Sequence, residues 1–296
     1  MTQLNAAERG LDYAPYEFGS APLTLRGPQK TPEGDYIAML GGSETYGKYV
    51  QYPFPDLVEA VTGVPVMNLG VMSAGVGAFC EDAAVAEICK RSKATVVQVL
   101  GAQNMSNPLY SVHARRNDRL LGATPALKSL YKGLDLTEVH FTRHLMNKLK
   151  RLNEDCFAEV REVLRDAWVA NMRALLGRID SEVVLLWIST RAPQEPENLS
   201  DPMDPLFVDR RMLVALRDHF HTFVEIRLLQ EPPDKKLFGK IYAASEAEAA
   251  VQMPGPRAHG QIAQTIATAL QPILRANAGI TTEVDESALF RSGRLT

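Results

Sequence analysis

Short apolar runs alternate with amphipathic stretches along most of this chain. The apolar runs predict five strands, at 35–40, 64–69, 95–100, 182–189 and 222–228. Apolar positions spaced three or four residues apart predict helices at 55–61, 78–90, 208–219 and 261–276. Near-continuous apolar strands interleaved with amphipathic helices are typical of a parallel sheet covered on both faces. The pattern therefore predicts an α/β protein with a three-layer, doubly wound (flavodoxin-like) sheet of about five parallel strands.

One stretch, 137–178, is longer than a single crossover helix requires. Apolar residues recur at helical spacing from Phe141 to Leu152 and again from Val160 to Trp168. The polar residues Asn153, Glu154 and Asp155 separate the two patterns and are suited to capping a helix. We expect a helical hairpin inserted into the α/β domain.

The domain organisation follows from these patterns. Residues 1–34 are rich in proline and glycine and predict an irregular N-terminal segment. Residues 35–278 form the predicted α/β domain, which contains the helical insertion at 137–178, and 279–296 form a C-terminal tail. A proline-rich stretch, 191–205, predicts a surface loop.

Composition narrows the function classes. The chain has 32 Lys and Arg against 35 Asp and Glu, a net charge of -3 that disfavours nucleic acid as a partner. No stretch approaches the roughly 20 apolar residues of a membrane span, and the N-terminus lacks the apolar segment of a secretory signal. The three cysteines, Cys80, Cys89 and Cys156, form neither a disulfide framework nor a zinc motif. We expect a cytoplasmic protein without a metal or cofactor.

Polar and small residues follow the first three predicted strands. Ligands bind outside the carboxyl ends of the strands in an open parallel sheet, so these residues are candidates for a site. The first strand ends in Gly41-Gly42-Ser43, the second runs into a loop from Gly70 to Gly75, and the third is followed by a loop that contains Asn104. A histidine, His259, precedes the last predicted helix.

These four blocks, in this order, resemble the SGNH (GDSL-like) hydrolase superfamily. The resemblance implies that Ser43 is the nucleophile, His259 is the base, and Asn104 contributes to an oxyanion hole. From the second block, Gly70 and Gly75 are the expected oxyanion donors, with Ser73 as an open alternative. A serine hydroxyl needs an imidazole to accept its proton, and fixed N–H donors must stabilise the carbonyl oxygen as it becomes an anion.

The sequence departs from the family at the residue that orients the histidine. The superfamily usually has an aspartate three residues before this histidine, where this chain has Pro256. Either a backbone carbonyl or a carboxylate from the proline-rich loop, Asp201 or Asp204, is left to orient His259. Without such a partner we expect weak activity or none.

The run from Gly101 to Asp118 resembles an uncharacterised bacterial group within the superfamily. In this run, His113, Arg115 and Arg116 are predicted to bind substrate, the arginines by gripping an anionic group. Two alternatives stay open, namely a solvated loop held by Arg–Asp pairs and a role for His113 as the base in place of the later histidine.

The functional expectation is a serine-dependent hydrolase or acyltransferase that acts on an ester. The expected partner is a small-molecule or glycan ester, and the resemblance suggests an O-acylated carbohydrate. The alternative is a catalytically silent SGNH-like module that binds a glycan or a protein partner through the same cleft. The sequence leaves the oligomeric state open.

Overall fold

The structure is a computed structural model and describes residues 10–19, 23–31 and 33–276, so the predicted tail at 279–296 lies outside the described residues. Its strands, in chain order, are β1 (Tyr16–Phe18), β2 (Leu23–Leu25), β3 (Ile37–Gly41), β4 (Val66–Gly70), β5 (Ala94–Gln98), β6 (Tyr110–His113), β7 (Arg116–Ala123), β8 (Glu182–Ser189) and β9 (Thr222–Arg227).

The helices lie mostly where apolar spacing predicts them. They are α1 (Ser43–Tyr46), α2 (Phe54–Thr62), α3 (Gly77–Cys80), α4 (Ala83–Arg91), α5 (Pro125–Leu130), α6 (Thr142–Leu152), α7 (Glu154–Leu176), α8 (Arg210–Val214), α9 (Ala247–Val251) and α10 (Pro256–Ala276). Within the described residues, no helix is long and apolar enough to cross a membrane.

The central sheet has five parallel strands in the order β4-β3-β5-β8-β9. Within this sheet the chain enters at β3 and continues to the edge strand β4. It then crosses back to β5, on the other side of β3. This reversal of strand order lies between β3 and β5, and such a switch point opens a crevice at the carboxyl ends of the strands. The predicted fold class is therefore confirmed, and the crevice lies next to Ser43.

Both faces of the sheet are covered, because alternate residues of each strand enter different cores. On β3, Ile37 and Met39 join a core that includes residues of α2 and α10. The intervening Ala38 and Leu40 join a second core with residues of α4 and α7, among them the fully buried Trp168. The sheet is thus the middle layer of three, as the continuous apolar strands predict.

Some elements differ from the prediction. In the segment predicted to be irregular, the short strands β1 and β2 form an antiparallel pair. Leu23 and Leu25 are buried on one side of β2, while Thr24 on the other side is exposed. The single helix predicted at 78–90 is two helices, and Asp82 caps the start of α4, because its carboxylate accepts backbone N–H groups of the first turn.

The region 137–178 contains the two helices α6 and α7. They are separated at Asn153, whose side-chain oxygen accepts the amide hydrogen of Cys156 and so caps α7. A hairpin of β6 and β7, which the sequence pattern did not predict, precedes them. We refer below to the whole stretch between β5 and β8, residues 99–181, as the insertion segment.

Candidate active site

The turn that follows β3 holds Ser43 at the first position of α1. Gln98, at the end of the neighbouring strand β5, accepts hydrogen bonds from the Gly42 amide at 3.0 Å and from the Thr45 hydroxyl at 2.7 Å. A Cβ atom on Gly41 would lie 2.0 Å from Thr45 Oγ1, so this close approach requires glycine. These contacts fix the turn and leave Ser43 partly exposed at the carboxyl edge of the sheet.

The loop after β4 places a backbone donor on the serine. The amide of Ser73 donates a hydrogen bond to Ser43 Oγ over 3.1 Å. Ser73 has a φ of 59°, in the left-handed region that residues with a Cβ atom seldom adopt. A donor this close to the serine oxygen is within reach of an oxyanion that forms on a carbon bonded to that oxygen.

The other two candidate donors of this loop are already engaged. The Gly70 amide donates to Asn68 Oδ1 at 2.9 Å, and the Gly75 amide donates to Asn117 Oδ1 at 2.8 Å. Each amide has one hydrogen, which an asparagine side chain accepts at Gly70 and Gly75, whereas at Ser73 it is directed at Ser43 Oγ itself. The oxyanion roles of Gly70 and Gly75 stay predictions, and Ser73, the open alternative, is the residue of this loop whose amide contacts Ser43 Oγ.

Asn104 lies in the loop after β5, and its side-chain amide is held from one side. The hydroxyl of Thr142 donates to Asn104 Oδ1 over 2.6 Å, whereas Nδ2 makes no hydrogen bond to the described part of the chain. A Cβ atom on Gly75 would lie 1.5 Å from the Asn104 carbonyl oxygen, so the two loops are in direct contact there. The structure thus links Ser43, Ser73 and Asn104 through touching loops.

His259 caps the start of α2 and makes no hydrogen bond to Ser43. Its imidazole is fully buried, and Nδ1 accepts a hydrogen bond from the Phe54 amide at 3.0 Å, at the start of α2. The N-cap residue of that helix is Pro53, which has no side-chain acceptor of its own. His259 supplies the missing acceptor from α10, and its ring stacks on Phe54 with the centroids 5.7 Å apart.

The protonation state of His259 leaves it no free acceptor. Burial, with the nearby charges of Arg26 and Lys240, lowers the pKa of His259 to about 3. The ring is therefore neutral at pH 7, and because Nδ1 accepts a hydrogen bond, Nε2 carries the hydrogen. Nε2 is buried without a hydrogen-bond partner. In this arrangement His259 has no nitrogen lone pair for the proton of Ser43, and no hydrogen bond joins the two residues.

The two carboxylates that the sequence offered as orienting groups have other partners. Asp204 accepts a hydrogen bond from Arg191 Nε at 2.8 Å, and Asp201 accepts one from the Thr190 hydroxyl. Burial raises the pKa of Asp204 despite its arginine partner. Both acids hold the proline-rich loop together and make no hydrogen bond to His259.

The predicted substrate-binding residues lie at the exposed turn of the β6–β7 hairpin. His113 Nδ1 accepts the Arg115 amide hydrogen at 3.2 Å. Arg115 lies 3.9 Å from Glu17, and Arg116 lies 3.4 Å from Asp118. These ion pairs match the alternative of a solvated loop with acidic partners. Substrate binding by this turn and a catalytic role of His113 stay predictions.

The described part of the chain also bears on two other kinds of chemistry, that of a metal ion and that of a cysteine thiol. Among the described residues, no group of three or more His, Cys, Asp and Glu side chains is placed to hold a metal ion. Burial raises the pKa of Cys80 to about 11 and that of Cys89 to about 12, so both thiols are protonated at neutral pH.

A family model described as "Domain of unknown function (DUF6473)" matches residues 1–274. The chain belongs to the DUF6473 family. No curated protein matches this DUF6473 chain.

Solved structures resemble the DUF6473 chain at low identity. A protein described as lipolytic, of the G-D-S-L family from Desulfitobacterium hafniense DCB-2, is 10% identical, with a TM-score of 0.40 over 79% of this chain and 98% of its own. A gut microbial diltiazem-metabolizing enzyme is 12% identical, with a TM-score of 0.41 over 82% of this chain and 48% of its own. A salicylyl-acyltransferase from a tetracycline biosynthetic pathway is 9% identical, with a TM-score of 0.37 over 83% of this chain and 59% of its own.

The match covers nearly the whole length of the first of these proteins. The chain spans about half and about three fifths of the lengths of the other two proteins. The fold class follows from the strand order of the sheet itself. The similarity to these three structures is too low to indicate a reaction.

Sequence reasoning missed two side chains that hold the candidate site of the DUF6473 protein. Thr142 bonds Asn104 across 38 positions of the chain, and Asn117 bonds Gly75 across 42. Thr142 falls in the predicted helical insertion, and Asn117 falls in a stretch expected to meet substrate. Their partners are remote in sequence, so no local pattern marks either residue.

Proposed function

We propose that this DUF6473 protein hydrolyses or transfers acyl groups from esters, with Ser43 as the nucleophile. The observation that carries the proposal is the 3.1 Å hydrogen bond from the Ser73 amide to Ser43 Oγ. It puts a fixed donor beside the oxygen that attacks. Asn104 supports the proposal, because its Oδ1 is held by Thr142 while its Nδ2 is left open.

The chemistry proceeds in two steps. Ser43 Oγ forms a bond to the ester carbonyl carbon as its proton passes to solvent water, and the carbonyl oxygen becomes an anion that the Ser73 amide and Asn104 Nδ2 stabilise. The C–O bond to the leaving group then breaks, the alkoxide takes a proton from water and leaves as an alcohol, and the acyl-serine passes its acyl group to water or to an acceptor hydroxyl. One fixed donor of this kind contributes roughly 2.7–4 kcal/mol to lowering the barrier.

The fate of the serine proton limits the expected rate. His259, with its lone pair occupied, does not accept this proton in the arrangement described. Positioned general bases contribute roughly 10²–10⁴ in rate, so we expect slow turnover compared with a complete serine–histidine pair. The proposed substrates are small-molecule or glycan esters, and O-acylated carbohydrates are the class that the resemblance suggests.

Labelling with a fluorophosphonate probe and hydrolysis of short-chain aryl esters and O-acetylated sugars test the proposal. We expect the wild type to be labelled, Ser43→Ala to be inert, and Asn104→Ala to react slower by roughly 10²–10³. Asn147→Ala is the matched control, since Asn147 is exposed on α6 and donates to a carbonyl of its own helix. Absence of labelling in the wild type, or equal labelling of Ser43→Ala, would contradict the proposal.

A second candidate function is a catalytically silent module that binds a glycan or a protein partner. The observation in its favour is the engagement of His259 Nδ1 by the Phe54 amide, which leaves Ser43 without a base. Calorimetric titration with O-acetylated oligosaccharides separates the two candidates. Saturable binding that survives in Ser43→Ala, with no product formed by the wild type, would favour the silent module.

A further inference from the structure

The insertion segment reaches the candidate site through a buried hydroxyl. Thr142 is the first residue of α6, its side chain is 1% exposed, and its Oγ1 donates to Asn104 Oδ1 over 2.6 Å. This is a short hydrogen bond for a hydroxyl donor, within the usual range for O–H donors. The contact joins the insertion segment to the loop after β5.

The Thr142 hydroxyl selects one orientation of the Asn104 amide. The two ends of an asparagine side chain have nearly the same shape but opposite hydrogen-bonding character. A hydroxyl that donates to Oδ1 favours the rotamer in which Nδ2 is turned away from it. Nδ2 makes no hydrogen bond to the described residues, so its hydrogens are available to a ligand oxygen.

Thr142 is itself anchored by the residues around it. Leu145 and Met146, one turn further along α6, are fully buried in the core. The neighbouring Arg143 donates to the carbonyl of Leu199 at 2.8 Å, which ties the same end of α6 to the proline-rich loop. The hydroxyl is therefore presented from a fixed backbone and not from a mobile loop.

We infer that Thr142 is a positioning residue that orients Asn104 as an oxyanion donor, an inference that rests on the proposed acyl-transfer function. Thr142 does not touch the substrate and acts through the amide of Asn104. Loss of its hydroxyl leaves that amide free to rotate, so the anion meets a donor for only part of the time.

Thr142→Val removes the hydroxyl and keeps the shape of the side chain, whereas Thr142→Ser keeps the hydroxyl. We expect Thr142→Val to slow fluorophosphonate labelling and to lower kcat by roughly tenfold to hundredfold at similar KM, and Thr142→Ser to restore most of both. Thr265→Val is the matched control, because Thr265 lies exposed on α10 and its hydroxyl bonds a carbonyl one turn back.

A second measurement is independent of activity. The Asn104 side-chain amide is identified in nuclear magnetic resonance spectra from the signal that Asn104→Asp removes, and Thr142→Val should broaden or shift it while Thr142→Ser and Thr265→Val leave it in place. An unchanged amide signal in Thr142→Val, or an unchanged kcat in an active enzyme, would overturn the positioning role. Failure of the proposed function shows separately, as a wild type that neither labels nor turns over.

Discussion

At the scale of single residues, the two nitrogens of His259 have different surroundings. Nδ1 meets the amide of Phe54, and Nε2 is buried with no partner. Adding a proton would place a positive charge in a site without solvent, next to the first turn of α2 and near Arg26 and Lys240. Each of these features favours the neutral ring.

The burial of His259 predicts an acid-sensitive fold. Above pH 6.5, the ordinary pKa of histidine, neither the folded nor the unfolded chain protonates this residue. Between pH 6.5 and about 3, the unfolded chain binds a proton that the folded chain does not. The free energy of unfolding therefore decreases as the pH falls through this window, by up to roughly 1.4 kcal/mol per pH unit.

Urea unfolding of wild type and His259→Asn at several pH values between 7 and 4 measures this effect. Asparagine keeps an acceptor for the Phe54 amide but loses the packing of the imidazole ring, so we expect the variant to be less stable than the wild type at pH 7. Because asparagine does not titrate, the free energy of unfolding of the variant should decrease less as the pH falls. His113→Asn, at an exposed histidine, is the control and should follow the wild type. Equal slopes in all three proteins would show that His259 is protonated in the folded state.

At the scale of elements, the candidate site is built where loops support one another. The loop after β4 carries Ser73, and its Gly75 lies between Asn117 of the hairpin and the backbone of Asn104. Asn117 is buried and also donates to the carbonyls of His113 and Ala114, so it closes the hairpin turn as it holds the loop. The exposed turn thus has a structural link to the site.

Gly75→Ala tests this contact between loops. The new Cβ atom would overlap the Asn104 carbonyl, and relieving the overlap must move a backbone, at a cost of about 1–3 kcal/mol or more. We expect lower stability and a loss of Ser43 labelling that exceeds the loss of folded protein, measured by thermal unfolding and probe kinetics.

Gly77→Ala is the control for this substitution, because its Cβ atom would find only Met105 Cβ, at 3.9 Å. Gly77 begins α3, and alanine is favoured in helices. The free energy of unfolding of Gly77→Ala should therefore stay within about 1 kcal/mol of that of the wild type. If Gly75→Ala behaved like Gly77→Ala, the two loops would have more freedom than their contact implies.

At the scale of the whole molecule, α10 covers much of one face of the central sheet. Ile262, Ile266 and Leu270 are fully buried in the core that also contains Ile37 and Val184. One helix from the end of the described chain therefore packs on strands from both halves of the sheet.

Ile266→Ala should destabilise the whole domain in a single transition. A buried isoleucine replaced by alanine loses about 2–5 kcal/mol of the free energy of unfolding. Val61→Ala on α2, where the side chain is 53% exposed, should change it by less than about 1 kcal/mol. Urea unfolding measures both. A small effect at Ile266, or a separate early transition, would indicate that α10 is only loosely attached.

The sequence predicts the sheet well and the site only in outline. Each central strand is an apolar run long enough to identify, and β8 has the predicted bounds. The hairpin was missed because β6 is four residues long, with alternate residues exposed. Ser43 and Asn104 follow from their place after strands. The choice among Gly70, Ser73 and Gly75 does not, because the sequence does not show which amides the side chains of Asn68 and Asn117 engage.

The prediction for His259 depended on where the last helix begins. With a helix at 261–276, this histidine belongs to the preceding loop, whereas α10 begins at Pro256. Proline is favoured at the first position of a helix, which is the signal that the apolar spacing alone did not weigh. Within α10, His259 is three, four and seven residues before the buried Ile262, Ala263 and Ile266, so it lies on the buried stripe.

The hydrogen bond between Phe54 and His259 also bears on how the chain is made. It spans 205 positions, and the core that α10 completes includes residues of β3, near the opposite end. During synthesis from the N-terminus, β3, β4 and α2 leave the ribosome long before α10 does. Until then, Ile37 and Val58 lack the apolar side chains of α10 that share their core in the folded protein. Complete burial of these residues therefore waits until α10 has been synthesised and has packed on the sheet.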